Sequence, residues 1–148
     1  MRYFLDTEFN GFGGELLSLA LVPEDGDQEF YTSLPLPEKV HSWVEQKVIP
    51  YLRHVPEGVD HQLTREQAAH HIATYLAGDP DPVIVADWPD DIAYFCALLV
   101  TGPGEIAPIG DLHFELIRSP GFSASATSRI PHNALHDARA LRAFYLGS

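Results

Sequence analysis

The segment Arg2-Tyr3-Phe4-Leu5-Asp6-Thr7-Glu8-Phe9 carries the clearest fold signal in the chain. Residues 2–5 form a short apolar run, which predicts a buried strand that leads into two acidic residues. Because residues two apart project from the same face of a strand, Asp6 and Glu8 point to one spot near its carboxyl end. Adjacent carboxylates repel each other unless cations lie between them. The segment therefore indicates either a cation site or a strand end whose acids cap a turn.

Two further segments of strand length follow, and the first of them is an apolar run. Residues 16–22 and residues 30–33 are predicted to be strands, and Asp25-Gly26 between them is a strong turn signal. Three strands joined by such short links are expected to pair as an antiparallel meander.

Helical patterns and one more buried strand make up most of the remaining chain. Thr64-Arg65-Glu66-Gln67 has the sequence of a capping box, so a helix is expected from there to Gly78. The apolar run at residues 83–86 is typical of a strand that is buried on both faces. Further elements are predicted as helices over residues 38–54, 89–100 and 133–146, a short strand over 106–109, a helix over 112–117 and a mobile loop over 119–128.

This order of elements predicts one α/β domain over residues 1–148. Its mixed sheet is expected to combine the three-strand antiparallel meander with parallel strands, and helices should flank the sheet.

Composition excludes several classes of protein. The longest unbroken apolar run spans only residues 92–100, whereas about 20 residues are needed to cross a bilayer. Cys96 is the only cysteine, and no signal-peptide pattern starts the chain, so we expect a protein of the cytoplasm without a membrane partner. Nine Lys and Arg against 21 Asp and Glu give a net charge of −12, which argues against a long DNA footprint. Carboxylates that hold divalent metals can nevertheless bind phosphate through them.

A second acidic cluster, Asp87-Trp88-Pro89-Asp90-Asp91, follows the strand predicted at residues 83–86 and opens a helix. One of its acids is expected to cap that helix. Three acids within this segment exceed the need of a cap, and ligand sites often lie beyond the carboxyl ends of strands. The cluster therefore offers candidate metal ligands.

A third cluster, His132-Asn133-Ala134-Leu135-His136-Asp137, opens the last predicted helix. His132 at the helix start and Asp137 in its second turn can lie on the same side of the amino-terminal end. Solvated histidines and a surface acid are the plain alternative. A functional alternative is a zinc site, because His132 and His136 are spaced four residues apart.

Taken in this order, the three clusters resemble the DEDDh group of 3′–5′ exonucleases, which belongs to the DnaQ-like superfamily and has a ribonuclease H-like fold. Residues 4–9 resemble the first motif of that group and residues 131–138 its third motif. In the middle motif, Asp91 stands at the position of the aspartate, and Asp87 stands where the group often has asparagine. Asp91 is therefore expected to be the middle carboxylate, with Asp87 as the alternative.

The resemblance implies a metal-dependent 3′–5′ exonuclease that acts on single-stranded nucleic acid and releases nucleoside 5′-monophosphates. It also implies two divalent cations, Mg²⁺ or Mn²⁺, as cofactors, with Asp6 bridging both. Glu8, Asp91 and Asp137 would complete the ligand set, and His132 would be the general base. An ordinary imidazole pKa of about 6.5 suits that role near neutral pH.

The resemblance and the neighbouring sequence also suggest substrate-binding residues. These are aromatic, polar and acidic side chains beside the motifs, together with one arginine. They are Thr7, Phe9, Asn10, Phe12, Asp87, Trp88 and Arg129, whereas Arg118 is expected to be an ordinary surface arginine. The start of the chain and Ser42-Trp43-Val44 resemble the small bacterial exoribonucleases of the RNase AS type, which favours RNA over DNA. Some relatives in the superfamily form homodimers, so a homodimer is an open expectation.

Two other functions are compatible with these sequence patterns. The chain could be a non-catalytic binding module that keeps the same fold. It could also be a zinc-dependent hydrolase that uses the pair His132 and His136.

Overall fold

A six-stranded mixed sheet forms the centre of the protein, as described by a computed structural model for residues 1–147. The strands are β1 (Arg2–Phe9), β2 (Leu16–Pro23), β3 (Phe30–Ser33), β4 (Asp60–Gln62), β5 (Val83–Ala86), β6 (Val100–Gly102), β7 (Glu105–Ile106) and β8 (His113–Leu116). The helices are α1 (Ser42–Lys47), α2 (Arg65–Leu76), α3 (Pro89–Leu99), α4 (Ala124–Thr127) and α5 (Ala134–Leu146), with a 3₁₀ turn at Ile49–Tyr51.

The strand order in the sheet is β4-β3-β2-β1-β5-β8. Strands β1, β2 and β3 pair antiparallel, which confirms the predicted meander. Strand β5 runs parallel to β1, and β8 runs parallel to β5. The predicted α/β architecture, a mixed sheet flanked by helices, is therefore confirmed.

Helices cover both faces of the sheet because the side chains of β1 alternate between them. Tyr3 and Leu5 belong to an apolar core shared with α2 and α3, whereas Phe4 belongs to a second core shared with α5. The capping box of α2 is also confirmed: the Gln67 N–H donates to Thr64 Oγ1, and the Thr64 N–H donates to Gln67 Oε1. Because α3 packs in the first core and α5 in the second, their amino-terminal ends lie on opposite sides of the end of β1.

A bulge at the end of the β1–β2 pair places α1 beside this region. Glu8 faces Ser18 and Phe9 faces Leu16, so Leu17 is the extra residue on β2. The Leu17 side chain is fully buried in a third apolar cluster together with Val44 of α1 and Val48. Because a bulge re-aims a side chain, it allows β2 to anchor α1 next to the carboxyl end of β1.

The prediction of a helix over residues 112–117 is wrong, because this segment forms β8. Residues 113–116 pair in parallel with residues 83–86 of β5. A short apolar run does not distinguish strand from helix by its periodicity, and here pairing with the sheet decides. The ring of Phe114 packs against Phe95, while Glu115 accepts a hydrogen bond from Tyr145 on α5.

Three other predicted elements are shorter or placed differently. The helix predicted over residues 38–54 is limited to α1 and the 3₁₀ turn, since Pro50 lacks the N–H that a continuous helix requires. The strand predicted at residues 106–109 is reduced to β7, which pairs with β6 outside the main sheet. The predicted loop over residues 119–128 contains α4.

Within residues 1–147, none of the helices combines the length and the apolar character that crossing a membrane requires.

Candidate metal centre

Three elements bring the acidic clusters together: the carboxyl end of β1, the start of α3 and the start of α5. Their side chains line one open cleft of about 690 Å³. The described residues contain two groups that could each hold a metal ion, and within each group one donor atom per residue lies within 4.8 Å of the others. Since β1 contributes one residue to each group, the two groups are neighbours.

The first group consists of Asp6, Asp87 and Asp91. Asp91 is 3% exposed, and its Oδ1 accepts a hydrogen bond of 2.6 Å from the Thr7 hydroxyl. The structure thus brings both candidates for the middle carboxylate to Asp6. The expectation that one acid of this cluster caps α3 is wrong: Trp88 occupies the N-cap position, and no side chain caps the helix.

The second group consists of Glu8, His132 and Asp137. Asn133 is the N-cap of α5, and its Oδ1 accepts hydrogen bonds from the N–H groups of Leu135 and His136. The His132 N–H donates to Asp137 Oδ2 at 3.2 Å. Among residues 1–147, His132 is the only non-glycine residue with a positive φ, at 66°. A positive φ is uncommon outside glycine, and here it occurs in the turn that places the His132 imidazole beside Glu8 and Asp137.

Burial raises the pKa values of the carboxyl groups in both groups. It raises the pKa of Asp6 and of Glu8 well above the usual range, with further increases from neighbouring carboxylates. It also raises the pKa of Asp91 to about 7, although the Thr7 hydroxyl opposes this shift, and the pKa of Asp137 to about 6. Acids with these pKa values bind protons near neutrality, and a cation that takes the place of those protons would stabilise the ionised forms.

The donor set fits a hard divalent cation. Asp6 Oδ2 and Asp137 Oδ1 are buried and have no hydrogen-bond partner among the described residues. A buried carboxylate oxygen without a partner is costly, and a coordinated cation would satisfy it. Carboxylate oxygens are the ligands that Mg²⁺ and Mn²⁺ prefer. Asp6, Glu8, Asp87, Asp91 and Asp137, with His132 beside them, could therefore hold such ions.

Exposed aromatic side chains line the same cleft. Phe12 is 98% exposed, Trp88 is 51% exposed, and Trp43 of α1 is 47% exposed. The Trp43 ring also packs edge-on against the His132 imidazole, with 4.9 Å between ring centroids. Burial, with a smaller effect of Lys47, lowers the pKa of His132. The imidazole is therefore neutral and able to accept a proton near neutral pH.

Some of the predicted substrate-binding residues have other roles. Phe9 lines the cleft but stacks on Tyr94, at 4.6 Å between centroids. Asn10 is not among the cleft residues; its amide donates to the Lys39 carbonyl and accepts from the His41 N–H, so it holds the connection before α1. Arg129 is exposed and does not line the cleft. Thr7, Phe12, Asp87 and Trp88 also line it, and their role in substrate binding stays a prediction.

The alternative zinc pair is not brought together by the fold. His136 belongs to neither metal-binding group found in residues 1–147. Its Nε2 lies 2.9 Å from the His54 carbonyl oxygen, in the loop that follows the 3₁₀ turn. The four-residue spacing therefore does not produce a two-histidine site here.

The cleft residues that were not predicted as site residues include Trp43, His41, Ser123 and Ser125. His41 caps α1 and the serines flank the start of α4, so their positions depend on how α1 and α4 pack against the sheet. The sequence signal for Trp43 was a large aromatic residue in a short helix, which is equally typical of a core position.

Comparison with protein-family models and with curated proteins finds no match for this chain.

The raised pKa values predict how stability depends on pH. The folded pKa values of Asp91 and Asp137 exceed the ordinary value of about 3.9, so without metal the folded state is favoured while these groups are protonated. This stability is lost as the pH rises toward about 7, a change on the order of 3 kcal/mol. We expect the midpoint of thermal unfolding in EDTA to fall by roughly 5–10 °C between about pH 5 and pH 8. Excess Mn²⁺ should restore it at the higher pH.

Circular dichroism melts of the wild type and of an Asp91→Asn/Asp137→Asn variant would check this expectation. The variant should show a flatter pH dependence and a smaller response to Mn²⁺. Equal slopes for the two proteins would contradict the assignment of the pH dependence to these acids.

Proposed function

We propose that this protein is a metal-dependent 3′–5′ exonuclease with a ribonuclease H-like fold, and that its substrate is single-stranded RNA. The observation that carries the proposal is the pair of adjacent donor groups that share β1, one formed by Asp6, Asp87 and Asp91 and the other by Glu8, His132 and Asp137. Two neighbouring oxygen-rich sites in an open cleft suit phosphodiester hydrolysis. The same residues carry the resemblance to DEDDh exonucleases.

In this proposal each residue has a defined task. Glu8 and Asp137 would hold one cation, Asp91 with Asp87 would hold the other, and Asp6 would contribute to both, as the resemblance implies. When bound, the cations supply Lewis-acid stabilisation of the attacking and leaving oxygens. An imidazole nitrogen of His132 accepts the proton of the attacking water. The bond between phosphorus and the 3′ oxygen of the preceding nucleotide breaks, which releases a nucleoside 5′-monophosphate and leaves a new 3′ hydroxyl.

Single-stranded substrates are favoured by the side chains around the donors. Phe12, Trp43 and Trp88 offer exposed aromatic faces in the cleft, and bases stack on such faces with about 1–3 kcal/mol each. The net charge of −12 disfavours a long contact with a duplex backbone. RNA is proposed over DNA on the resemblance of the first strand and of residues 42–44 to the RNase AS type.

The experiment that tests the function compares matched RNA and DNA single strands labelled at the 5′ end. Each is incubated with Mg²⁺, Mn²⁺, Zn²⁺ or EDTA, and products are resolved on a gel. We expect a ladder that shortens from the 3′ end with Mg²⁺ or Mn²⁺, faster on RNA, and no products in EDTA or with the Asp6→Asn protein. Intact strands under every condition would favour the binding module, and activity with Zn²⁺ alone would contradict the proposed cofactor.

A further inference from the structure

A second groove continues from the cleft past Trp88. It has a volume of about 400 Å³ and is lined by residues 117–123 together with Asp87 and Trp88. Asp87, Trp88 and Ser123 line both the cleft and the groove. The cleft and the groove are therefore adjacent, and Trp88 lies at the border between them.

Two contacts hold the segment of residues 117–122, which forms one side of the groove. The Ile117 N–H donates to the Ala86 carbonyl at 2.9 Å, which ties the start of the segment to the end of β5. Farther along, Phe122 stacks on Phe144 of α5 at 4.0 Å between ring centroids. These two contacts hold the segment between the sheet and the last helix.

Arg118 is held in a defined position at this groove. Its Nη1 donates to the Asp87 carbonyl oxygen at 2.8 Å, and its guanidinium carbon lies 5.2 Å from the centroid of the Trp88 ring. The hydrogen bond uses one of the five N–H donors of an exposed guanidinium. A positioned arginine with further donors is suited to bind a phosphate in a planar, two-bond arrangement.

Charge makes Arg118 distinctive. It is the only lysine or arginine, among residues 1–147, that lines either the cleft or the groove. The cleft itself contains the carboxylates of both donor groups, which repel a polyanion wherever no cation lies between. A phosphate that extends from the metal centre into the groove would therefore find a built-in positive charge at Arg118.

We propose that Arg118, stacked on Trp88, forms a subsite for a backbone phosphate on the 5′ side of the scissile bond. This inference rests on the proposed exonuclease function. An enzyme that removes one terminal nucleotide accommodates a single nucleotide on the 3′ side, so the part of the substrate that extends out of the cleft is 5′ to the bond that breaks. This proposal differs from the expectation that Arg118 is an ordinary surface arginine, and it does not use Arg129, which does not line the cleft or the groove.

The test compares two substrates that differ in the upstream backbone. The p-nitrophenyl ester of thymidine 5′-monophosphate contains the scissile phosphodiester without any upstream phosphate, whereas a single-stranded oligonucleotide has several. Arg118→Ala should raise KM for the oligonucleotide about tenfold, leave kcat/KM for the ester within about twofold, and lower the salt slope of oligonucleotide binding by about one. Arg118→Lys should give an intermediate KM because it keeps the charge without the planar donors.

Arg53→Ala is the matched control, since Arg53 pairs with Asp60 and lines neither the cleft nor the groove. It removes the same charge and should leave both substrates unaffected. Equal effects of Arg118→Ala on the ester and the oligonucleotide, or no effect on either, would overturn the subsite. If the wild type hydrolyses neither substrate with Mg²⁺ or Mn²⁺, the proposed function fails instead. Fluorescence anisotropy of a labelled oligonucleotide still measures the Arg118 contribution in that case.

Discussion

Replacing Asp6 by asparagine is expected to lower the rate of 3′-end hydrolysis by at least about 10³-fold. Loss of one electrostatic contact to a transition state commonly costs about 10²–10³-fold, and Asp6 is proposed to contact two cations. The substitution keeps the size of the side chain and removes its charge. Single-turnover rates with saturating substrate at increasing Mn²⁺ would measure the effect, because added metal should recover little of the loss.

A stability measurement separates this loss from misfolding. Burial and the nearby Asp91 and Glu8 carboxylates raise the pKa of Asp6, so the ionised group destabilises the metal-free fold. The Asp6→Asn protein should therefore melt at a higher temperature than the wild type in EDTA at about pH 8. Asp111→Asn, in a different pocket, is the matched control and should keep the wild-type rate. A variant that melts lower and is inactive would leave the role of Asp6 unsupported.

Replacing His132 by alanine is expected to lower kcat by about 10²–10⁴-fold, the usual contribution of a general base. Since burial lowers the pKa of this imidazole, the acid limb of the wild-type pH profile should have its midpoint below the ordinary value of about 6.5. The remaining activity of His132→Ala should lack that limb. Initial rates across the pH range at saturating Mn²⁺ would show both effects.

His136→Ala provides the control for a histidine in the same segment. The His136 ring contacts the His54 carbonyl and belongs to neither donor group among residues 1–147, so its removal should change kcat by no more than about threefold. A large loss for His136→Ala in addition to His132→Ala would support the zinc pair, whereas a mild effect of His132→Ala would overturn its assignment as the general base.

The parts of the fold that were predictable have strong local signals. The meander follows from apolar runs joined by short turns, and α2 follows from a capping box that the structure reproduces. Strand β4 was missed because Asp60-His61-Gln62 has no apolar pattern and owes its conformation to pairing with β3. Strand β8 does have apolar residues, but they fit either a helix or a strand, and its partner β5 lies far away in sequence, so the prediction of a helix was wrong.

The candidate site also contains residues whose positions the sequence could predict and residues whose positions it could not. Asp6 and Glu8 share a face because alternation in a strand is fixed, so their convergence could be predicted from two positions. The joining of Asp91 and Asp137 to them needed the family resemblance, since nothing local relates residues on three separate elements. Asn10 could not be distinguished from a substrate ligand, because its hydrogen bonds go to backbone groups near α1 that sequence does not place beside it.

The second donor group joins Glu8 of the first strand to His132 and Asp137 at the last helix. Contacts between such distant parts of a chain form late, because the entropy of closing a long loop has to be overcome first. An intermediate in which the meander is paired but α5 is still undocked lacks His132 and Asp137, two of the three donors of the second group. Under the proposed function, a complete second group requires docked α5, so hydrolytic competence would arise at the end of folding and not in a partly folded form.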